Sequence, residues 1–371
     1  MKVLIVSVKT GYGHHSAAKA IINHLEEYGV TCEMLDTFEY INPALSDSID
    51  SGYMFCTKHF TEIYGKAYDK LDRQEEKRDN LSPVTILSKI VSNKLKDYIL
   101  EFNPDVIIGT HSYACMMMTY LREKGIVKCP LIGIVTDFTV HPFWESTDLD
   151  YYIVPSELME NQTYRKGIPA EKVLSYGIPI RKQFTYKISK KEARTSLGIE
   201  DKMTILVMMG SMGFGNIVKS IEDLDKLKQD FQILCICGKN EKMKNEIENQ
   251  KWNKIVIPYG FVDNVDVMMD AADIMITKPG GLTSSEFLAK KLPAIIMNPI
   301  PGQENRNTEF LVNNGAAIMV TDTFPLDEAI YELLKSPVRR ELMEKSVEYL
   351  AKPDSTKNVC DLAMKLAKGE A

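Results

Sequence analysis

Residues 272–291 constrain the fold more than any other stretch. Ala272-Asp273-Ile274-Met275-Ile276-Thr277 is an apolar run of strand length, Lys278-Pro279-Gly280-Gly281 interrupts it, and Phe287-Leu288-Ala289-Lys290-Lys291 has the composition of a helix. A buried strand, two glycines and a helix start belong to parallel α/β architecture. They also make an anion site. Small residues let the backbone approach a phosphate, and the first-turn N–H groups point at it with the helix dipole behind them. Thr283 and Ser284 either add hydroxyl donors or cap the helix. Glu286 is unsuited to a phosphate, and its carboxylate fits a pair of sugar hydroxyls such as those of a ribose. The alternative reading is a plain glycine-containing turn with a capping Thr or Ser.

The same alternation runs through most of the chain. Val3 to Val8 is an apolar strand, Gly11-Tyr12-Gly13-His14-His15-Ser16 turns into a helix from Ala17 to Tyr28, and Val30 to Leu35 is a second strand. This is a doubly wound start, although the dinucleotide fingerprint fails because Ser16 stands where its third glycine belongs. Further strands read at 104–109, 131–135, 151–155 and 173–179. Lys187 to Asp201 is a charged stretch expected to be the linker. A second βα series then starts at Thr204 to Met209, turns at Gly210-Ser211-Met212-Gly213-Phe214-Gly215, and continues with strands at 231–237, 254–258, 273–277, 293–298 and 317–320. A chain of 371 residues is long enough for two such halves, each with its own core. Ligands of open parallel sheets bind at the C-terminal strand ends, where Gly11 to His15, His111 and Asp137 to Trp144 fall.

Composition excludes some partners. A net charge of −6 gives no support for nucleic-acid binding. The seven cysteines are scattered without a CxxC pair, a reduced, cytosolic pattern rather than a disulfide framework or zinc site. Cys235 and Cys237 share one row of a strand and read as core. The opening Met1 to Lys9 reads as a first strand and not a signal peptide. No apolar run approaches the ~18 residues of a membrane span, so any membrane contact is peripheral. Residues 43–97 mix aromatics such as Tyr64 and Tyr68 with lysines such as Lys66 and Lys70. They form either a helical cover on one sheet edge or an amphipathic, membrane-facing segment that admits a lipid.

All six histidines lie in the first half. His14, beside a strand end, is placed to take a proton from an acceptor hydroxyl, with Asp137 orienting it or receiving the proton. The alternative for either is a loop hydrogen bond, and His15 is expected to point away at the surface. His141-Pro142-Phe143-Trp144 reads as an exposed aromatic loop in which Trp144 either walls a pocket or packs locally. Gln303 and Glu304, after Pro301-Gly302, offer an amide and a carboxylate of the kind that grip sugar hydroxyls. Asp148-Leu149-Asp150 looks like a metal-binding pair but lacks surrounding acids and is read as chance.

Several of these residues together resemble a known family. Gly11-Tyr12-Gly13-His14 with Ala17-Ala18, Thr136-Asp137-Phe138 with His141 and Trp144, Gly177-Ile178-Pro179-Ile180, and Lys278 to Glu286 with Pro301 to Asn305 look like the diacylglycerol glycosyltransferases. That family holds bacterial processive diacylglycerol glucosyltransferases and plant monogalactosyldiacylglycerol synthases, within glycosyltransferase family 28. The resemblance implies a GT-B fold, two Rossmann-like doubly wound domains facing across a cleft. It sets an acceptor domain at 1–185, a donor domain at 186–350, and a C-terminal helix at 351–371 packing back on the first domain.

It further implies a UDP-sugar donor, a diacylglycerol acceptor, a peripheral position on the cytosolic face of the membrane, and no metal or cofactor. By the same resemblance His14 is the base, with Asp137, Gly13, His141 and Trp144 around the acceptor. Glu286 holds the ribose, Gly280, Gly281, Leu282 and Thr283 the diphosphate, and Gln303 and Glu304 the hexose. Ser211 lies near the diphosphate and Phe261 near the uracil. Glucose and galactose donors, and the number of sugars added, are not separated by these motifs. The rival readings are a lipid-linked N-acetylglucosaminyltransferase of peptidoglycan synthesis, a soluble UDP-sugar epimerase, and a non-catalytic UDP-sugar sensor.

Overall fold

The structure, a computed structural model, describes residues 1–9, 12–42, 92–210 and 217–370. The chain divides into two compact units, Met1–Lys182 with Ile300–Gln303 and Lys352–Ala371, and Gln183–Pro299 with Glu304–Ala351.

The first unit is built on strands β1 (Lys2–Ser7), β2 (Thr31–Asp36), β3 (Val106–Gly109), β4 (Leu131–Ile134), β5 (Tyr151–Ile153) and β6 (Val173–Leu174). They form one sheet in the order β2-β1-β3-β4-β5-β6, with every pairing parallel. Val3 to Val6 of β1 are fully buried, as a strand covered on both faces requires. Helix α1 (Tyr12–Glu26) lies against it and buries Ala17, Ala18 and Ile21. The helix begins five residues before the expected Ala17. Gly13 and Ser16 are weak helix formers, but anchoring by the buried Ala17-Ala18 face outweighs their intrinsic preference. Helix α2 (Ser112–Glu123) follows β3. The C-terminal helix Ser355–Ala367 adds Val359, Cys360 and Ala363 to the core that contains Val3, Ile5 and Ile108. Thr356 Oγ1 donates to the Ile180 carbonyl at 2.6 Å, tying that helix to the Gly177–Ile180 segment.

The second unit holds β7 (Thr204–Met208), β8 (Gln232–Ile236), β9 (Ile255–Tyr259), β10 (Ile274–Thr277), β11 (Ala294–Ile296) and β12 (Ala317–Met319). Their order is β12-β11-β10-β7-β8-β9, again all parallel. Two parallel sheets wrapped by helices are the doubly wound pair expected from the alternation. Cys235 and Cys237 are buried in this core. One expectation fails here. The charged stretch expected to be a linker belongs to the second unit, where Lys190–Leu197 is a helix capped by the Ser189 hydroxyl. Its charges are spent on internal contacts: Arg194 Nη2 lies 2.7 Å and Lys190 Nζ 2.5 Å from the Asp273 carboxylate.

Lys290 is fully buried beside that segment, its ammonium donating to the Tyr186 carbonyl at 2.6 Å and to Asp270 Oδ2 at 2.7 Å. Burial outweighs the attraction of Lys290 and holds the Asp270 carboxyl above its ordinary range. Removing one partner strands the other charge. Lys290→Met is therefore expected to lower the unfolding free energy of this unit by about 3 kcal/mol in a urea titration. An unchanged midpoint contradicts this.

Among the described residues no helix is long and apolar enough to cross a membrane. Nor, among them, do three His, Cys, Asp or Glu side chains converge as a metal site would need.

Candidate active site

The first unit gathers imidazoles at the C-terminal ends of β3 and β4. Thr110 continues β3, with its N–H on the Val6 carbonyl at 3.0 Å and its hydroxyl on Ser7 Oγ at 2.9 Å, so its own carbonyl is rigidly placed. That carbonyl lies 2.8 Å from His14 Nδ1. A carbonyl can only accept, so Nδ1 carries the proton, which it shares with Thr136 Oγ1 at 3.0 Å. The lone pair is therefore on Nε2. His14 is not in a turn, as expected, but in the first turn of α1, with Gly13 beside it and both part-buried. Asp137 follows Thr136 directly and is part-buried.

Burial is the largest influence on His14 and lowers its pKa from 6.5 to about 4, the Thr110 contact opposing and His15 adding to the shift. The ring is thus neutral above both values. Below 6.5 the unfolded chain binds a proton that the folded site resists, so this site costs stability increasingly as pH falls toward 4. For a base that must be neutral, kcat/KM is expected to stay flat between pH 7.5 and 5.5, with its acid limb near 4. A limb at the ordinary value of 6.5 contradicts this environment.

Sequence reasoning placed His111 at a strand end without giving it a role. His111 caps α2, its Nδ1 accepting from the Tyr113 N–H at 3.1 Å. Its ring meets that of His14 edge-on at 4.5 Å between centroids. Tyr113 stacks on His111 at 5.3 Å and contacts Phe143 at 4.7 Å, and His141 contacts Phe143 at 4.5 Å. The supports of His14, Thr110 and Thr136, were also not singled out as such. A Thr-His pair at a strand end was the available signal.

Two expectations are corrected here. The His141–Trp144 loop is not an exposed aromatic loop: Trp144 is only 4 % exposed, in the 3-10 turn Pro142–Ser146. It packs edge-on to Tyr152, and a Cβ at Gly133 would come within 2.8 Å of its ring. Gly133 is what lets the indole approach β4 so closely, so Trp144 supports the loop from inside the core. His15 is not at the surface either, since its Nε2 lies 3.1 Å from the largely buried Asp36 carboxylate. Asp148 and Asp150 pair with Lys172 at 2.9 Å and Arg122 at 2.6 Å, which accounts for both acids without a metal.

In the second unit, β10 leads through Lys278-Pro279-Gly280 into helix α3 (Gly281–Ala289). Gly280 is its N-cap, and no side chain caps the first turn, so the reading of Thr283 or Ser284 as caps falls. Gly280 has φ −63° and ψ 141°, open to any residue, and a Cβ there would meet nothing within 4 Å. Neither conformation nor packing against the described residues demands glycine at this position. The Ser284 hydroxyl is fully buried without a hydrogen-bond partner among the described residues. Glu286, two residues further on, is buried as well.

Strand β11 pairs with β10 and leads toward helix α4 (Gln303–Asn313). Glu304 in its first turn lies 3.4 Å from Lys278 Nζ, and Asn307 Nδ2 donates to the Pro279 carbonyl at 2.9 Å. The Lys278–Glu286 and Glu304–Asn307 segments therefore form one surface. Gln303 is the first residue of α4, and Phe261, after β9, is 65 % exposed. Ser211 and positions 43–91 of the 43–97 segment lie outside the described residues.

A family model described as monogalactosyldiacylglycerol (MGDG) synthase matches residues 14–180, and one described as glycosyltransferase family 28 C-terminal domain matches 204–359. A "Processive diacylglycerol beta-glucosyltransferase" of Bacillus cereus (strain B4264) is 27 % identical over 364 residues, 97 % of this chain and 92 % of that protein. One of the same description from Bacillus thuringiensis (strain Al Hakam) aligns to the same extent. Among solved structures, Acinetobacter baumannii MurG superposes with a TM-score of 0.65 at 18 % identity, covering 98 % of this chain and 99 % of that one. A UDP-GlcNAc 2-epimerase from Neisseria meningitidis bound to UDP-GlcNAc gives 0.59 at 16 % identity, covering 98 % and 100 %. These likenesses establish the fold, two Rossmann-like domains of the GT-B type. With the two family models in succession over nearly its whole length, the chain belongs to the MGDG-synthase-type glycosyltransferases of family 28.

Proposed function

We propose that the protein transfers a hexose from a UDP-sugar to the free hydroxyl of diacylglycerol with inversion at the anomeric carbon. The observation that carries this reading is the tautomer of His14, whose Nδ1–H is committed to the Thr110 carbonyl so that Nε2 holds the lone pair. His14 Nε2 takes the proton of the acceptor hydroxyl as its oxygen bonds to the anomeric carbon. The bond from that carbon to the UDP oxygen breaks, and the leaving diphosphate takes the electron pair. Asp137 steadies the imidazolium formed, while Gly13 and His141 line the acceptor position.

The donor is held by the second unit. The α3 N-terminus at Gly280 to Thr283 receives the diphosphate, a fixed dipole of the kind worth a few kcal/mol at comparable sites. Glu286 takes the ribose hydroxyls, Gln303 and Glu304 the hexose, and the exposed Phe261 ring stacks on the uracil. Lys278 sets the direction of Glu304. Ser211 is assigned beside the diphosphate from its motif alone. The relatives' names support diacylglycerol as acceptor and glucose as first choice of donor, with galactose the competitor. The enzyme works at the cytosolic face of the membrane as a peripheral protein.

The test is donor consumption. UDP-glucose and UDP-galactose are each incubated with the protein, with and without diacylglycerol vesicles. Consumption of one donor that depends on the vesicles is expected. Isomerised sugar without vesicles overturns the reading in favour of an epimerase.

A further inference from the structure

We propose that His111 is an acceptor-binding residue, donating its Nε2–H to an ester carbonyl oxygen of diacylglycerol while His14 Nε2 accepts from the neighbouring hydroxyl. The assignment rests on the proposed transfer to diacylglycerol and adds a specificity-determining contact to it.

The two imidazoles are in opposite tautomers. His14 gives its Nδ1 proton to the Thr110 carbonyl and presents a lone pair at Nε2. His111 accepts at Nδ1 from the Tyr113 N–H, so its ring is neutral with the proton on Nε2. Their rings touch edge-on at 4.5 Å between centroids. Both side chains are part-exposed, and among the described residues the hydrogen bonds of both rings run through Nδ1. One acceptor and one donor thus stand side by side. A hydroxyl with an acyl ester on the adjacent carbon, as in diacylglycerol, offers the complementary donor and, in the ester carbonyl, the acceptor.

Capping α2 does not account for this ring. A cap needs only the atom at the Nδ1 position, which Asn or Ser supplies with less bulk. His141 repeats the arrangement: its Nδ1 accepts from the Phe143 N–H at 3.1 Å, which leaves its proton on Nε2 as well. Tyr113, half-buried and stacked on His111, continues the wall as an aromatic face of the kind an acyl chain can follow.

The test compares diacylglycerol with the matching dialkylglycerol, which keeps the hydroxyl but lacks the ester carbonyls, in mixed micelles. His111→Asn preserves the acceptor that caps α2 and removes the Nε2–H. His111→Gln restores an N–H near the Nε2 position. The wild type is expected to prefer the diacyl acceptor. In His111→Asn the KM for diacylglycerol should rise roughly tenfold and the preference should fall toward one, as loss of a hydrogen bond implies. UDP affinity should be unchanged, and His111→Gln should recover part of the preference. A His111→Asn enzyme that keeps both its KM and its ester preference overturns the assignment alone. A wild type that transfers nothing to diacylglycerol overturns the underlying reading and this assignment with it.

Discussion

His14→Ala is expected to lower kcat by about 10²–10⁴, the usual worth of a positioned general base, while the affinity for UDP stays at its wild-type value. The reason is local. His14 Nδ1 is held by the Thr110 carbonyl, and Thr110 is held in turn by Val6 and Ser7, so the lone pair of Nε2 is fixed without using any group of the substrate. Alanine removes that lone pair and leaves the second unit untouched. Isothermal calorimetry with UDP and an initial-rate assay separate the two effects. Near-normal turnover in this variant would remove His14 from the chemistry. Loss of both turnover and UDP binding would indicate damage to the fold instead.

Gly280→Leu is expected to leave stability unchanged and weaken UDP binding by one to two orders of magnitude, the loss of a single charge-assisted hydrogen bond at about 1.5–3 kcal/mol. The backbone at Gly280 is extended with negative φ, and an added Cβ meets no neighbour, so the folded chain accommodates the side chain. A leucine at the mouth of the first turn of α3, however, occupies the space an anion needs to reach those N–H groups. Thermal unfolding and UDP calorimetry on the same variant distinguish the outcomes. Unchanged UDP affinity means that the diphosphate sits elsewhere, and a large drop in Tm means that the glycine serves packing.

These two sites were legible in the sequence to different degrees. The strands β1 and β10 announced themselves because both faces are buried, which leaves almost no polar residue in Val3–Val6 or Ile274–Ile276. The Gly280-Gly281 loop could be read as a donor for anions because strand, glycines and helix are contiguous. The start of α1 was missed since glycine and serine argue against a helix that burial of Ala17 and Ala18 enforces. Lys190–Leu197 was misread for the opposite reason: its charge suggested solvent, but Arg194 is buried against Asp273. Trp144 looked exposed in an aromatic loop because the glycine that receives it, Gly133, lies on a strand before the loop. The tautomer of His14 depends on a carbonyl 96 residues away, and no local pattern reports it.

The most direct measurement is mass spectrometry of the lipid fraction after incubation of the protein with isotope-labelled UDP-hexose and diacylglycerol vesicles. The account predicts a labelled hexosyl diacylglycerol from the wild-type protein and none above background from His14→Ala. Release of UDP with no labelled lipid from the wild type, or equal labelled lipid from both proteins, would contradict it.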